Sequence, residues 1–201
     1  MPRVIIATWN LAAKASPDHE QLLADLGADV LLLTEVLPGV PADAVSTGAM
    51  TPGQRFAAVR GVEGGPSGTE FTAAGTRDGV TFLSSVLPWR SMGGSQAENT
   101  QAWVSRLDAE WPDGPVVWGG DWNHEMHGRM WVGCREGRDA INGLLERRGL
   151  VCHTSLLQTR QGARSIDHIA LPSTWDVSRV EIREAVGLSD HDAVIVECEP
   201  A

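Results

Sequence analysis

The sequence predicts a mixed α/β fold. Three observations point there: an opening that reads strand–helix–strand, short apolar runs that stop abruptly on polar side chains, and two later stretches with helical apolar spacing.

Val4 to Ala7 reads as a buried strand that delivers Trp9 and Asn10 at its end. Ser16-Pro17 starts a helix, a cap followed by a proline in the first turn. Leu22, Leu23 and Leu26 give that helix its apolar face, and Gly27 stops it. Val30 to Leu33 is the second buried strand and ends on Thr34-Glu35. From Leu37 to Gly79 proline and glycine are frequent. Only Phe56 to Val59 and Phe71 to Ala74 look like strands there, and Gly61 to Gly68 reads as a hairpin or loop. Val80 to Leu87 is a strand that ends in Pro88-Trp89-Arg90. Ser95 and Glu98 fit a capping box, and Trp103, Leu107 and Trp111 follow as the expected buried stripe of its helix. Val116-Val117-Trp118 is the next strand. Ile141, Leu144 and Leu145 mark another helix, closed at Gly149, and short strands follow around 150–152, 166–171, 177–182 and 193–196.

With 201 residues and no repeat, low-complexity tract or linker, one domain over residues 1–201 is expected, with a substantial core. No apolar run approaches a membrane span, so no membrane partner is expected. The apolar stretch in MPRVIIATWNL is too short for a signal peptide, which makes the cytoplasm the expected location. Cys134, Cys152 and Cys198 are odd in number and lack metal-ligand spacing, as reduced thiols would. The net charge of -10 and the absence of a basic run argue against tight nonspecific binding of nucleic acid. All the basic residues except Lys14 are arginines, which suit bidentate phosphate recognition.

The chemistry concentrates in GGDWNHE, Gly119 to Glu125. A buried strand stops on two glycines, which let the backbone turn sharply and approach a ligand. Asp121 and Asn123, two residues apart at a strand end, can point to the same side. A carboxylate there suits a cation or a water, and an amide N–H suits an anionic oxygen. Trp122 and His124 are expected to face the substrate from this loop. His124 and His127 lack a third ligand at zinc spacing, so zinc is not the reading. The same pattern, an apolar strand ending in chemically capable residues, recurs in ATWN (Ala7 to Asn10), LLLTEV (Leu31 to Val36), SIDHI (Ser165 to Ile169) and LSDHD (Leu188 to Asp192). A G-x-S-x-G elbow, a P-loop and a dinucleotide-binding glycine turn are all missing, which disfavours a serine hydrolase, an NTPase or a dehydrogenase.

In that order, these five motifs resemble the endonuclease/exonuclease/phosphatase superfamily, and the resemblance spans nearly the whole chain. It implies a four-layered α/β sandwich, two facing mixed β-sheets with helices outside. It also implies a hydrolase of phosphoric esters that depends on Mg²⁺ or Mn²⁺. By the resemblance, Glu35 is the principal metal ligand, with Asn10 and Asp190 close to the metal. Asp121 matches the residue that positions or deprotonates the attacking water, and Asn123 the one that binds the scissile phosphate. His191 matches the histidine set against the phosphate, and Asp167 the aspartate that orients it. His168, next to Asp167, alternates to the opposite face and reads as structural.

Two phosphate contacts common in the superfamily differ here. The strand before the capped helix ends SSVLPWR without histidine, and the chain has no tyrosine. Val36, Leu37 and Pro38 follow Glu35 where an arginine is frequent. Arg90, with Trp89 beside it, is the expected substitute, with Arg77, Arg160 and Arg164 as further candidates. The expected substrate is a phosphodiester, nucleic acid included; a small-molecule or lipid phosphate ester is the alternative, and no obligate protein partner is expected. A non-catalytic binding module is the competing class. It would have no chemical need to hold all seven of Asn10, Glu35, Asp121, Asn123, Asp167, Asp190 and His191.

Overall fold

The computed structural model describes residues 2–37, 41, 43–47, 55–64, 69–90, 93–159 and 162–201. Pro38, Arg160 and the second half of the Gly61–Gly68 segment lie outside them. Strands β1 (Val4–Asn10), β2 (Val30–Val36), β3 (Val45–Ser46) and β4 (Arg55–Arg60) join β10 (Asp176–Arg183) and β11 (Ala193–Glu199) in a six-stranded sheet ordered β10-β11-β1-β2-β4-β3. Strands β5 (Thr72–Arg77), β6 (Val80–Val86), β7 (Val116–Asp121), β8 (Leu150–Cys152) and β9 (Asp167–Pro172) form a five-stranded sheet ordered β5-β6-β7-β9-β8. Both sheets are mixed: β1 runs parallel to β2 and β6 parallel to β7, and the other pairings are antiparallel.

The layers follow from which faces are apolar. Ile6, Val30, Leu32 and Val59 of one sheet meet Phe82, Val117, Ile169 and Leu171 of the other in the central core. Helix α1 (Pro17–Asp25) covers the outer face of the first sheet through Leu22 and Leu23, which pack with Trp9, Leu31 and Leu33. Helices α2 (Gln96–Ala109) and α3 (Arg135–Arg147) cover the second through Val104, Leu107, Ile141 and Leu144, packed with Trp118 and Trp122. This is the expected four-layered sandwich. Strands β1, β2 and β7 are buried along most of their length because both of their faces are covered, hence the continuous apolar runs.

The local starts and stops behave as their chemistry requires. Ser16 caps α1 by accepting from the His19 N–H at 3.4 Å, Pro17 follows, and Gly27 leaves the helix at φ 60°. Ser95 accepts from the Glu98 N–H at 3.4 Å at the start of α2. The expected stripe of that helix is shifted. Thr100, Val104 and Leu107 are its buried residues, while Trp111 lies beyond the last turn and Trp103 sits half-buried with its edge on Phe71 at 4.2 Å. The two-residue β3 carries no periodic signal and is new.

Glycine is required at the end of β7. A Cβ on Gly119 would lie 2.6 Å from the His168 carbonyl oxygen, and one on Gly120 2.2 Å from that of Ser85, with Gly120 at φ 122°. Adjacent strands close in at this point and fix where Asp121 leaves the sheet. Gly120→Ala is therefore expected to cost about 2–3 kcal/mol in a urea denaturation series, from the strained φ and the displaced β6 backbone. A variant of unchanged stability would mean that the ladder yields freely there.

Candidate active site

The site residues come from strand ends and loops at one rim of the sandwich. In the parallel β1–β2 pair Asn10 stands opposite Thr34, so Glu35 is the next residue to emerge. In the second sheet Asp121 is directly paired with Asp167 across β7–β9, and with Val86 across β6–β7. The two sheets meet through one carboxamide. Asn10 Nδ2 donates to Glu35 Oε1 at 3.1 Å and to Asp121 Oδ2 at 3.0 Å. Its Oδ1 accepts from the Ala12 N–H at 2.8 Å, which fixes which end of the amide is which. A second link between the sheets is close by: the buried Ser84 hydroxyl of β6 donates to the Leu33 carbonyl of β2 at 2.8 Å.

Glu35 and Asn123 both have φ near 50°, a conformation that L residues seldom adopt. Such strain persists where the surroundings dictate it. Asn123 is held on three sides. Its N–H donates to Asp121 Oδ1 at 3.0 Å, its Nδ2 to the Leu87 carbonyl at 3.0 Å, and its own carbonyl accepts from Gln96 Nε2 at 3.4 Å. Gln96 Nε2 also reaches the Pro88 carbonyl at 3.1 Å, so the Pro88-Trp89-Arg90 turn is tied to the Asp121–Asn123 turn. Trp89 is half-buried at this rim. Arg90 is exposed and has no ion-pair partner among the described residues.

His191 Nδ1 donates to Asp167 Oδ2 at 2.6 Å. The backbone around His191 is secured twice: its N–H donates to Ser189 Oγ at 3.1 Å, and its carbonyl accepts from Trp9 Nε1 at 3.1 Å. Ser189 Oγ in turn donates to the Asn10 carbonyl at 2.7 Å, closing a ring between β1 and the β10–β11 loop. Ser189, Trp9 and Gln96 are the supporting residues that motif reading missed. Ser189 alone left a signal, a hydroxyl immediately before Asp-His at a strand start. Asp190 is exposed beside this pair.

Burial pushes the Asp121 carboxyl up to about 7, and the Asp167 charge pushes the same way, against His191 and the hydrogen bonds from Asn123 and Asn10. Burial opposes a charge on His191. Asp167, through its charge and its hydrogen bond, outweighs this together with Asp121 and Asp190 and raises the imidazole to about 10.

Two expectations fail. Trp122 and His124 do not face a substrate: both are fully buried. Trp122 stacks on Trp118 with ring centroids 4.3 Å apart, in the core under α3. His124 Nδ1 donates to the Trp122 carbonyl at 2.8 Å, and Nε2 meets the Cys134 thiol at 3.5 Å. Burial lowers its pKa. The seat for this ring is made by Gly137, where an added Cβ would lie 2.2 Å from His124 Nε2. His168 is structural as expected. It donates from Nε2 to the His124 carbonyl at 3.0 Å and accepts from Thr154, and burial lowers it to about 4. Arg77 lies at the far end of the second sheet, donating to the Asp29 carbonyl at 2.8 Å. Arg164 donates to the Leu156 carbonyl at 2.6 Å, and Arg160 lies outside the described residues.

Among the described histidine, cysteine and acidic side chains, Asp121, Asp167 and His191 form a group whose ligand atoms lie within 4.8 Å of one another. Within this group Asp167 already engages His191 Nδ1 at 2.6 Å, and the other candidate donors are carboxylate oxygens. Glu35, Asp121, Asp167 and Asp190 set four carboxylates against one imidazolium. Asp167 Oδ1 is buried without a hydrogen-bond partner, and the second oxygen of Glu35 is left free by Asn10. A hard divalent cation fits this donor set.

No family model matches the sequence, and no curated protein is significantly similar to it. The fold is nevertheless that of the endonuclease/exonuclease/phosphatase domains. The endonuclease domain of TRAS1, a telomere-specific non-LTR retrotransposon, is similar with a TM-score of 0.69 at 17% identity, over 98% of each chain. An endonuclease/exonuclease/phosphatase from Beutenbergia cavernae DSM 12333 is similar with a TM-score of 0.69 at 15% identity, over 98% of this chain and 71% of its own. At such identities the likeness carries the fold, and the chemistry rests on the side chains.

In metal-free protein, NMR titration should find the His191 ring protonated to about pH 10, and Asp167→Asn should bring its pKa down to the neutral range or below. Since the folded value lies above the ordinary 6.5, the pair stabilises the fold fully below pH 6.5 and loses that contribution as pH rises through about 10. An unchanged titration in Asp167→Asn would mean that this aspartate does not tune the histidine.

Proposed function

We propose that the chain is a divalent-metal-dependent hydrolase of phosphoric esters, a phosphodiesterase of nuclease type. The observation that carries this reading is the convergence at Asn10, whose amide holds Glu35 of one sheet and Asp121 of the other beside the Asp167–His191 pair. Glu35, with Asn10 and Asp190 close by, would hold Mg²⁺ or Mn²⁺. Such an ion supplies positive charge to phosphoryl oxygens and helps to generate the nucleophile from water.

The protein groups divide the remaining work. Asp121, at about 7, is partly ionised at neutral pH and can take or orient the proton of the attacking water. Asn123 uses one amide N–H on Leu87 and keeps the other for a phosphate oxygen. His191, held protonated by Asp167, donates from its free Nε2 to an oxygen that gains charge in the transition state. Arg90 at the Pro88 turn supplies a bidentate donor where many members of the superfamily use histidine or tyrosine, and Trp89 flanks the same approach. The similarity to the TRAS1 endonuclease domain supports a nucleic-acid diester as substrate.

Hydrolysis of bis-para-nitrophenyl phosphate with Mg²⁺ or Mn²⁺, against an EDTA control, tests the reading. Metal-dependent release is expected in the wild type and background release in Glu35→Ala. Arg90→Ala should cost about 2–4 kcal/mol of transition-state stabilisation, as for loss of one preorganised donor. Arg90→Lys should recover part of it, since the charge survives and the fork does not. Wild-type release no greater than that of Glu35→Ala would favour the non-catalytic binding module, and normal turnover by Arg90→Ala would leave that arginine a surface residue.

A further inference from the structure

The loop that follows Asn123 carries a feature that the hydrolytic chemistry does not use. Trp131 is 77% exposed, whereas Trp9, Trp118 and Trp122 are fully buried and Trp175 is nearly so. The Arg129 guanidinium lies 5.0 Å from the Trp131 ring centroid, covering one face of the indole and leaving the other to solvent. The loop is a built structure. The Glu125 N–H donates to the Val132 carbonyl at 3.2 Å across its neck, and Arg138 Nη1 donates to the Gly128 carbonyl at 2.9 Å from α3. Its neck follows directly on the Asp121–Asn123 turn that carries the candidate site.

The chain carries -10, yet from Glu125 to Asp139 three arginines balance three acidic residues, with Arg135 paired to Asp139 at 3.7 Å and Arg129 set over the indole. An exposed indole that backs onto a guanidinium suits a ligand with a flat π-face and anionic links. A duplex fits poorly, since its bases are stacked away and its phosphates span a wide face that the overall charge repels. A single strand offers unstacked base faces and needs only this small footprint.

We propose that the loop from His127 to Gly133 is a stacking platform for a single-stranded nucleic acid, with a base packed on the open face of Trp131 and an adjacent phosphate met by Arg129. This rests on the phosphodiesterase reading for its biological sense, and its test is separate. Binding of fluorescein-labelled oligodeoxythymidylate is followed by anisotropy in EDTA, where no metal-dependent cleavage can occur. Trp131→Ala should weaken binding about tenfold, and Trp131→Phe should restore most of it, since stacking needs a ring rather than an indole. Arg129→Ala should flatten the salt dependence by about one phosphate contact. A duplex of the same length should bind more weakly and respond little to Trp131→Ala. No measurable binding by the wild type, wild-type affinity in Trp131→Ala, or an equal loss on duplex would overturn the platform. Release of para-nitrophenol by the wild type reports on the hydrolase independently, so failure of either reading leaves the other legible.

Discussion

The carboxamide of Asn10 donates one N–H to Glu35 and one to Asp121, and so ties together strand ends that belong to different sheets. The residue is 1% exposed and its carbonyl is committed to Ala12, so the amide has no freedom to turn. Two carboxylates would ordinarily repel at this separation, and burial makes their charge costly. A neutral double donor between them holds both side chains in place. The spacing that allows it is set below, where the central core fixes the distance between the sheets, and by Ser84, which joins β6 to β2.

The second sheet contributes its acids by register. Direct pairing of Asp121 with Asp167 puts two carboxylates at the end of one ladder, and the protonated His191 offsets the pair. The glycines before Asp121 let the strands close tightly enough for this, and Trp9 and Ser189 hold the histidine from the first sheet. Each half of the site is thus oriented by the other. This accounts for why strained residues such as Glu35 and Asn123 occur here: the surrounding bonds over-determine them.

Much of this was legible in the sequence, for a physical reason. A strand buried on both faces reads as an apolar run, and a polar residue at its end stands out against it. Asn10, Glu35, Asp121 and Asp167 could therefore be found by pattern, and the structure brings them to one rim. The inward turn of Trp122 and His124 could not. It depends on Gly137 of α3 making room for an imidazole, a contact between segments that no local pattern encodes. The shift of the α2 stripe from Trp103 to Val104 has a similar origin, since large aromatics can sit half-buried at an edge while smaller residues meet the sheet. Gln96 was silent because its role is a pair of hydrogen bonds to backbone carbonyls of distant turns.

The proposed function turns on Glu35, with Asn10 and Asp190 close by, as the cation site. Anomalous scattering from Mn²⁺-soaked crystals tests it most directly. A single strong peak is expected within ligand reach of Glu35, near Asn10 and Asp190. A peak on the Asp167–His191 pair, or between His124 and His127, would contradict it.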